Sequence, residues 1–217
     1  MEEINLKGNG LLRIGRTEID VPYKTGIITC VLPLKGPNYH SNVMKGIDSD
    51  ELLRPTTAQT FSLVDLAIQN SDEAHCAEIL NKLKNCLWTS TESLSFLDGV
   101  LVYDNVDGKM PENTTELYER FEKKDKLVRF VPKGFKTGAM SIRDFLKHPY
   151  VIAQVGEDML ETVERVAKAG HGKEAYVFGL DRAEEPTRRY TALYSGWVVV
   201  DGLVVLGYYF LEGSYGF

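Results

Sequence analysis

Several things are scarce in this chain, and each scarcity narrows what the protein can be. Cysteine occurs three times in 217 residues, as Cys30, Cys76 and Cys86. An odd, widely spaced set does not make the paired framework of a small secreted domain, so it predicts reduced thiols and a cytoplasmic protein. The opening MEEINLKGNG is acidic and has no apolar segment of the secretory kind. The most apolar run, Trp197 to Phe210, has 14 residues, short of the roughly 20 that a membrane-spanning helix needs. No membrane association is expected. Positive charge is not in excess either, since the net charge is −6. That balance works against non-specific binding of polyanions.

Catalytic motifs are equally sparse. The dinucleotide fingerprint fails because Gly8 and Gly10 are followed by Arg13 at the third glycine position. GFKTG places Phe135 inside what a phosphate-binding P-loop would need as Gly-Lys, and no G-x-S-x-G elbow occurs. Lys-Thr-Gly appears at 24–26 and 136–138, but without any Ser-x-x-Lys it does not make a serine β-lactamase. The histidines, His40, His75, His148 and His171, are far apart, and His75-Cys76 with Cys86 makes an incomplete metal set. DNVDG at 104–108 has Tyr103 and Thr114 where a calcium loop needs acids, so it reads as a polar turn. His40 is expected in an exposed loop, and His171 at the end of a helix. Glu157, Asp158, Glu161 and Glu164 read as a solvated helix face, with Glu161–Arg165 and Glu164–Lys168 as i,i+4 pairs. No cofactor is indicated.

What is present is an ordinary globular balance, 43% hydrophobic and 26% charged. One domain over 1–217 is expected, with a β-rich segment at 1–55, a mainly helical part with a β-hairpin at 56–125, and an α/β part at 126–217. Strands are predicted at 11–15, 17–21 and 26–34, followed by a polar, irregular stretch to Pro55. Thr56 or Thr57 caps a helix to about Gln69, and a second helix runs from Ser71 to about Leu87. Asp98-Gly99 and Asp107-Gly108 are hairpin-turn dipeptides, with a strand at 100–104 between them. A helix from Thr114 or Thr115 to Lys124 follows, with Leu117, Tyr118 and Phe121 inward. Strands at 127–131, 150–155 and 175–180 alternating with helices at 142–148 and 157–169 predict a parallel βαβαβ unit. The terminal run predicts a buried hairpin, WVVV, then Asp201-Gly202, then LVVLGYYF. A homo-oligomer interface there is the second reading. The fold class is thus mixed α+β (α/β), with a partly parallel sheet.

Charge supplies the one positive functional feature. Residues 120–147 carry a net +6 inside an acidic protein. Within them PKGFKTGAMS, at 132–141, combines Lys133 and Lys136 with Gly134 and Gly138, and adds the hydroxyls of Thr137 and Ser141. A loop of this kind between a strand and a helix N-terminus is where an anion sits in a parallel sheet. The leading expectation is a phosphorylated small ligand bound at 132–141. Single-stranded nucleic acid ranks lower, on basic groups interleaved with Phe130 and Phe135. The alternatives are a non-catalytic interaction or assembly protein associating through the terminal hairpin, and a Cys- or His-dependent hydrolase. VPYKTG (21–26) and VPKGFKTG (131–138) echo each other.

Overall fold

In the computed structural model, residues 2–14, 18–109, 114–169, 174–179, 181–195, 203–208 and 214–216 are described. Their N-terminal part is a four-stranded antiparallel sheet of β1 (Glu2–Asn5), β2 (Leu11–Ile14), β3 (Glu18–Tyr23) and β4 (Gly26–Val31), in that spatial order. Leu12, Ile19, Val21 and Cys30 face inward, as period-2 alternation requires. The stretch expected to be irregular instead holds β5 (Lys35–Asn38) and α1 (His40–Ser49). Val43, Met44 and Ile47 of α1 bury themselves against Trp88 and Ala192, and that packing stabilises a helix whose sequence is polar elsewhere.

Helix α2 (Thr57–Gln69) begins as its sequence dictates. The Thr56 hydroxyl accepts from the Gln59 amide, and the Gln59 side chain accepts from the Thr56 amide. Helix α3 (Ala74–Leu83) is shorter than expected, with the Glu73 carboxylate capping it at the Cys76 amide. The difference falls at Leu87, which opens β6 (Leu87–Phe96), a ten-residue strand buried along its whole length. Asp98 then leads into β7 (Gly99–Asp104) as a tight hairpin. Gly99 has φ +153° there, and an added Cβ would overlap the Val131 carbonyl oxygen and lie 2.9 Å from the Phe130 ring. Gly99→Ala is expected to cost about 3 kcal/mol, read as a lower urea midpoint at unchanged slope.

Helix α4 (Thr114–Glu122) follows, with Leu117 buried and Phe121 still 39% exposed. Next come β8 (Val128–Pro132), β9 (Gly138–Ser141), α5 (Ile142–Leu146), α6 (Pro149–Val155), α7 (Leu160–Ala169), β10 (Glu174–Phe178), β11 (Thr187–Ser195), β12 (Leu203–Tyr208) and β13 (Ser214–Gly216). The expected βαβαβ unit is not formed. Residues 150–155 are helical, with Pro149 at the first helical turn, where its missing N–H costs nothing. β8 runs antiparallel to β7, and β9 antiparallel to β10. The larger sheet has the order β5-β13-β6-β11-β12-β10-β9, with β7 paired to β6 and β8 paired to β7. Its pairings are antiparallel apart from β10 with β12 and a single contact of β13 with β6 at Leu87. The protein is therefore a mixed α+β fold built largely on antiparallel sheets.

One core cluster runs from β2 and β3 through α2 to α6, α7 and β10. Of the apolar terminal run, residues 203–208 form β12 in the larger sheet. β12 is hydrogen-bonded to β11 on one side and β10 on the other, so it is an interior strand with no open edge. Residues 197–200, the expected first arm of the hairpin, lie outside the described residues. No helix among the described residues is long and apolar enough to cross a membrane.

Candidate functional site

The basic loop that the sequence singles out is built differently from the expected anion seat. Lys133, Gly134, Lys136 and Thr137 are exposed, but the loop connects β8 to β9, not a parallel strand to a helix. The Gly134 amide donates to Asp181 at 3.1 Å, and Lys133 faces Asp98 at 3.4 Å. Gly138 starts β9, where it pairs with Val177. Ser141 caps the five-residue helix α5, accepting from the Asp144 amide at 3.1 Å and donating to the Asp144 carboxylate at 2.7 Å. Carboxylates of the chain itself thus fill two of the positions expected to receive a phosphate, which corrects the geometric premise of the loop. What anchors the loop is Phe135, stacked on Tyr150, and the Lys136 carbonyl, which accepts from His148 at 2.7 Å. Lys136, Arg143 and Lys147 remain exposed, with no carboxylate at ion-pair distance among the described residues. The two Lys-Thr-Gly stretches are not structural equivalents, because Lys24-Thr25 is the tight turn between β3 and β4.

The acidic face of α7 resolves partly as expected. Glu164 pairs with Lys168 at 2.6 Å, but Arg165 turns to α2, where it grips Asp65 through Nε and Nη2. Asp158 pairs with Lys24 at 3.0 Å. These two ion pairs line a cleft of about 370 Å³ beside Gly8, Gln69 and Met159. Each charge there already has a partner from another element, so the cleft is closed electrostatically by the fold's own groups.

The nucleophile and base candidates are buried. All three cysteines are free and buried; burial pushes the Cys30 and Cys76 thiols up to about 12. His40 is not a loop histidine: it starts α1, is 7% exposed, stacks on Tyr190 at 3.9 Å and meets Trp88 edge-on. Its Nε2 donates to the Thr89 carbonyl at 3.1 Å, and burial holds it down at about 4. His148 is likewise lowered by burial. His171 lies outside the described residues. No group of three metal-ligating side chains occurs among the described residues.

The polar lining of β6 carries no local signal in the sequence. On one face, Thr89 Oγ1 meets Thr57 Oγ1 at 3.0 Å and donates to the Thr191 carbonyl, while Thr57 and Thr191 both donate to Gln154 Oε1. On the other face, Glu92 is 1% exposed between two apolar clusters. It accepts from Tyr103 at 2.5 Å and Asn105 at 2.9 Å, with Arg188 at 3.8 Å. Buried polar groups bonded to one another hold distant segments in register, and none of these opens into a described cleft.

A different surface combines exposure with shape. A groove of about 360 Å³ runs along β4, walled by Ile28, Cys30 and Val31 on the strand and by Leu52, Leu53 and Pro55 opposite. Leu53 is 80% exposed and Ile27, on the same strand, 65%, the two most exposed large apolar side chains among the described residues. The sequence signal for it was a strand, GIITCV, with no charged residue.

Comparison with known proteins bears on the fold. No protein-family profile and no curated protein matches the sequence. The chain is similar in fold to a solved structure that describes the accommodation of massive sequence variation in Nanoarchaeota by the C-type lectin fold. The TM-score is 0.53 at 14% identity, with 85% of this chain and 95% of that one covered. At this identity the likeness is one of fold: a C-type lectin-like architecture.

Proposed function

We propose that the protein is a non-catalytic binding protein, one domain in a reducing compartment, that engages a partner through the groove beside β4. The observation that carries this reading is the groove itself, which sets Leu53, the most exposed large apolar residue among the described residues, opposite β4, the strand that also carries the exposed Ile27. Apolar side chains clustered on a surface mark interaction sites far more often than scattered ones do. A fold likeness to a scaffold described as accommodating sequence variation agrees with a binding role. The test is recovery of interacting protein by wild type, Leu53→Lys and Ile27→Lys in parallel. Recovery lost in both variants supports the reading; recovery indifferent to both overturns it.

The hydrolase reading finds less support, because a thiol raised to about 12 holds almost no thiolate at neutral pH. Native Cys30 and Cys76 are expected to resist iodoacetamide for hours while the urea-unfolded chain reacts within minutes. One thiol reacting rapidly in the folded protein would restore the hydrolase.

A second binding reading, a phosphorylated small ligand on the basic surface, is favoured by the exposed Lys136, Arg143 and Lys147, which have no carboxylate at ion-pair distance among the described residues. It predicts a thermal shift with one class of phosphate compound that Lys136→Ala removes. No shift across nucleotides, sugar phosphates and short oligonucleotides would end it.

A further inference from the structure

The groove's chemistry specifies its occupant, and this step rests on the binding reading above. β4 pairs with β3 through a continuous register that the tight turn at Lys24-Thr25 sets. In such a hairpin Tyr23 with Gly26, Val21 with Ile28 and Ile19 with Cys30 are the hydrogen-bonded pairs. Pro22 with Ile27, Asp20 with Thr29 and Glu18 with Val31 are the alternating non-bonded pairs, and Pro22, which has no N–H, occupies one of them. The backbone N–H and C=O groups of Ile27, Thr29 and Val31 therefore point away from β3. Among the described residues β4 has no second strand. The edge also lacks the usual guards: between Gly26 and Val31 there is no charged residue, no proline and no bulge.

Charge narrows the occupant further. Several cations near this sheet are committed, Lys35 to Asp50, Arg54 to Asp48, Lys24 to Asp158 and Arg13 to Asp20. Glu51, on the groove wall, has no cation at ion-pair distance among the described residues, whereas Glu18, opposite Val31, faces Arg13 across β2 and β3. The groove is lined mostly by apolar side chains and carries one acid, Glu51. A second copy of β4 would bring Glu51 no free positive charge, since its own neighbour Lys24 is already paired.

We infer that β4 receives an extended strand of a partner protein, apolar at alternate positions and carrying a lysine or arginine that reaches Glu51. The added strand bonds to the outward backbone groups of Ile27, Thr29 and Val31. Its alternate side chains enter the groove against Leu52 and Leu53, the two-part logic of strand addition.

The experiment is selection of a random heptapeptide phage library on the immobilised full-length chain. Enriched sequences are expected to alternate β-branched or apolar residues and to end on Lys or Arg. Synthetic Ac-TVTVTVK-NH2 then serves as the soluble probe. N-methylation of its alternate amides should weaken binding at least about tenfold, the loss of two or so hydrogen bonds. Leu53→Lys should abolish binding, and Glu51→Lys should shift preference to a second probe with Glu in place of the terminal Lys, Ac-TVTVTVE-NH2. Both residues are exposed, so unchanged thermal midpoints certify that the variants are folded. No enrichment, enrichment without alternation, or indifference to N-methylation overturns the proposal. So does a dimer in sedimentation that Leu53→Lys dissolves, which would make a second copy the occupant. If partner recovery depends on Leu53 while the peptides fail, the binding surface stands and strand addition falls. If recovery ignores Leu53, the binding reading itself falls.

Discussion

Glu92→Ala is expected to destabilise the protein by about 4 kcal/mol, the range for removing one partner of a buried ionic cluster. Glu92 sits on β6 with 1% of its surface exposed, between the cluster around Trp88 and that around Tyr103. Truncation leaves the Tyr103 hydroxyl and the Asn105 amide without their acceptor in a buried environment. The uncompensated desolvation of those donors, more than the lost attraction, carries the cost. Glu92→Gln keeps an acceptor for Tyr103 and should cost about 1 kcal/mol. Chemical denaturation of the two variants separates the cases. Equal, small losses in both would mean that Glu92 is not the link between the two clusters.

Stability is also expected to fall by about 3 kcal/mol on account of His40 alone as pH drops from 6.5 to 4. Burial between Tyr190 and Trp88 disfavours the imidazolium and lowers His40 from 6.5 to about 4. Between those values the unfolded chain takes up a proton that the folded chain refuses. The contribution is therefore complete above pH 6.5, declines as pH falls through the window, and is gone below about 4. Carboxylates such as Asp20 and Asp48, lowered by hydrogen bonds from Arg13 and Arg54, titrate further down. Measuring wild type against His40→Gln at each pH cancels that shared background. The gap between the two proteins should narrow by about 3 kcal/mol from pH 7 to pH 4. A constant gap would place His40 in contact with water.

The elements legible beforehand share a local cause. Thr56 and Gln59 make a capping box from four residues of sequence, and the hairpin expected at Asp98-Gly99 forms one residue earlier, with Leu97-Asp98 as the turn and Gly99 opening β7. The helix over 157–169 was visible because its apolar spacing repeats through three turns, although Arg165 chose Asp65, a residue 100 positions away, over Glu161. YVIAQV shows the opposite case. A short apolar run fits strand and helix alike, and here Pro149 and packing of Tyr150 and Val151 into the core settle it as α6.

The candidate site divides in the same way. The sequence marked 132–141 by its lysines and glycines, but Asp181 and Asp144, which occupy the anion positions, come to the loop through tertiary contact and helix capping. Of the groove at β4 only the uncharged strand GIITCV was visible; its far wall, the Leu52–Pro55 segment, comes from tertiary packing.

By itself the sequence determined the local turns, the capped helices, the mixed α+β class and the need to bury an apolar C-terminal run. Only the tertiary structure decided that LWTSTESLSF is a central strand. Its hydroxyls and carboxylate are tolerable inside because Thr57, Gln154, Thr191, Tyr103 and Asn105 arrive from other elements to bond them. A buried polar group costs free energy until its partner is in place, and no local pattern records a partner that distant in the chain.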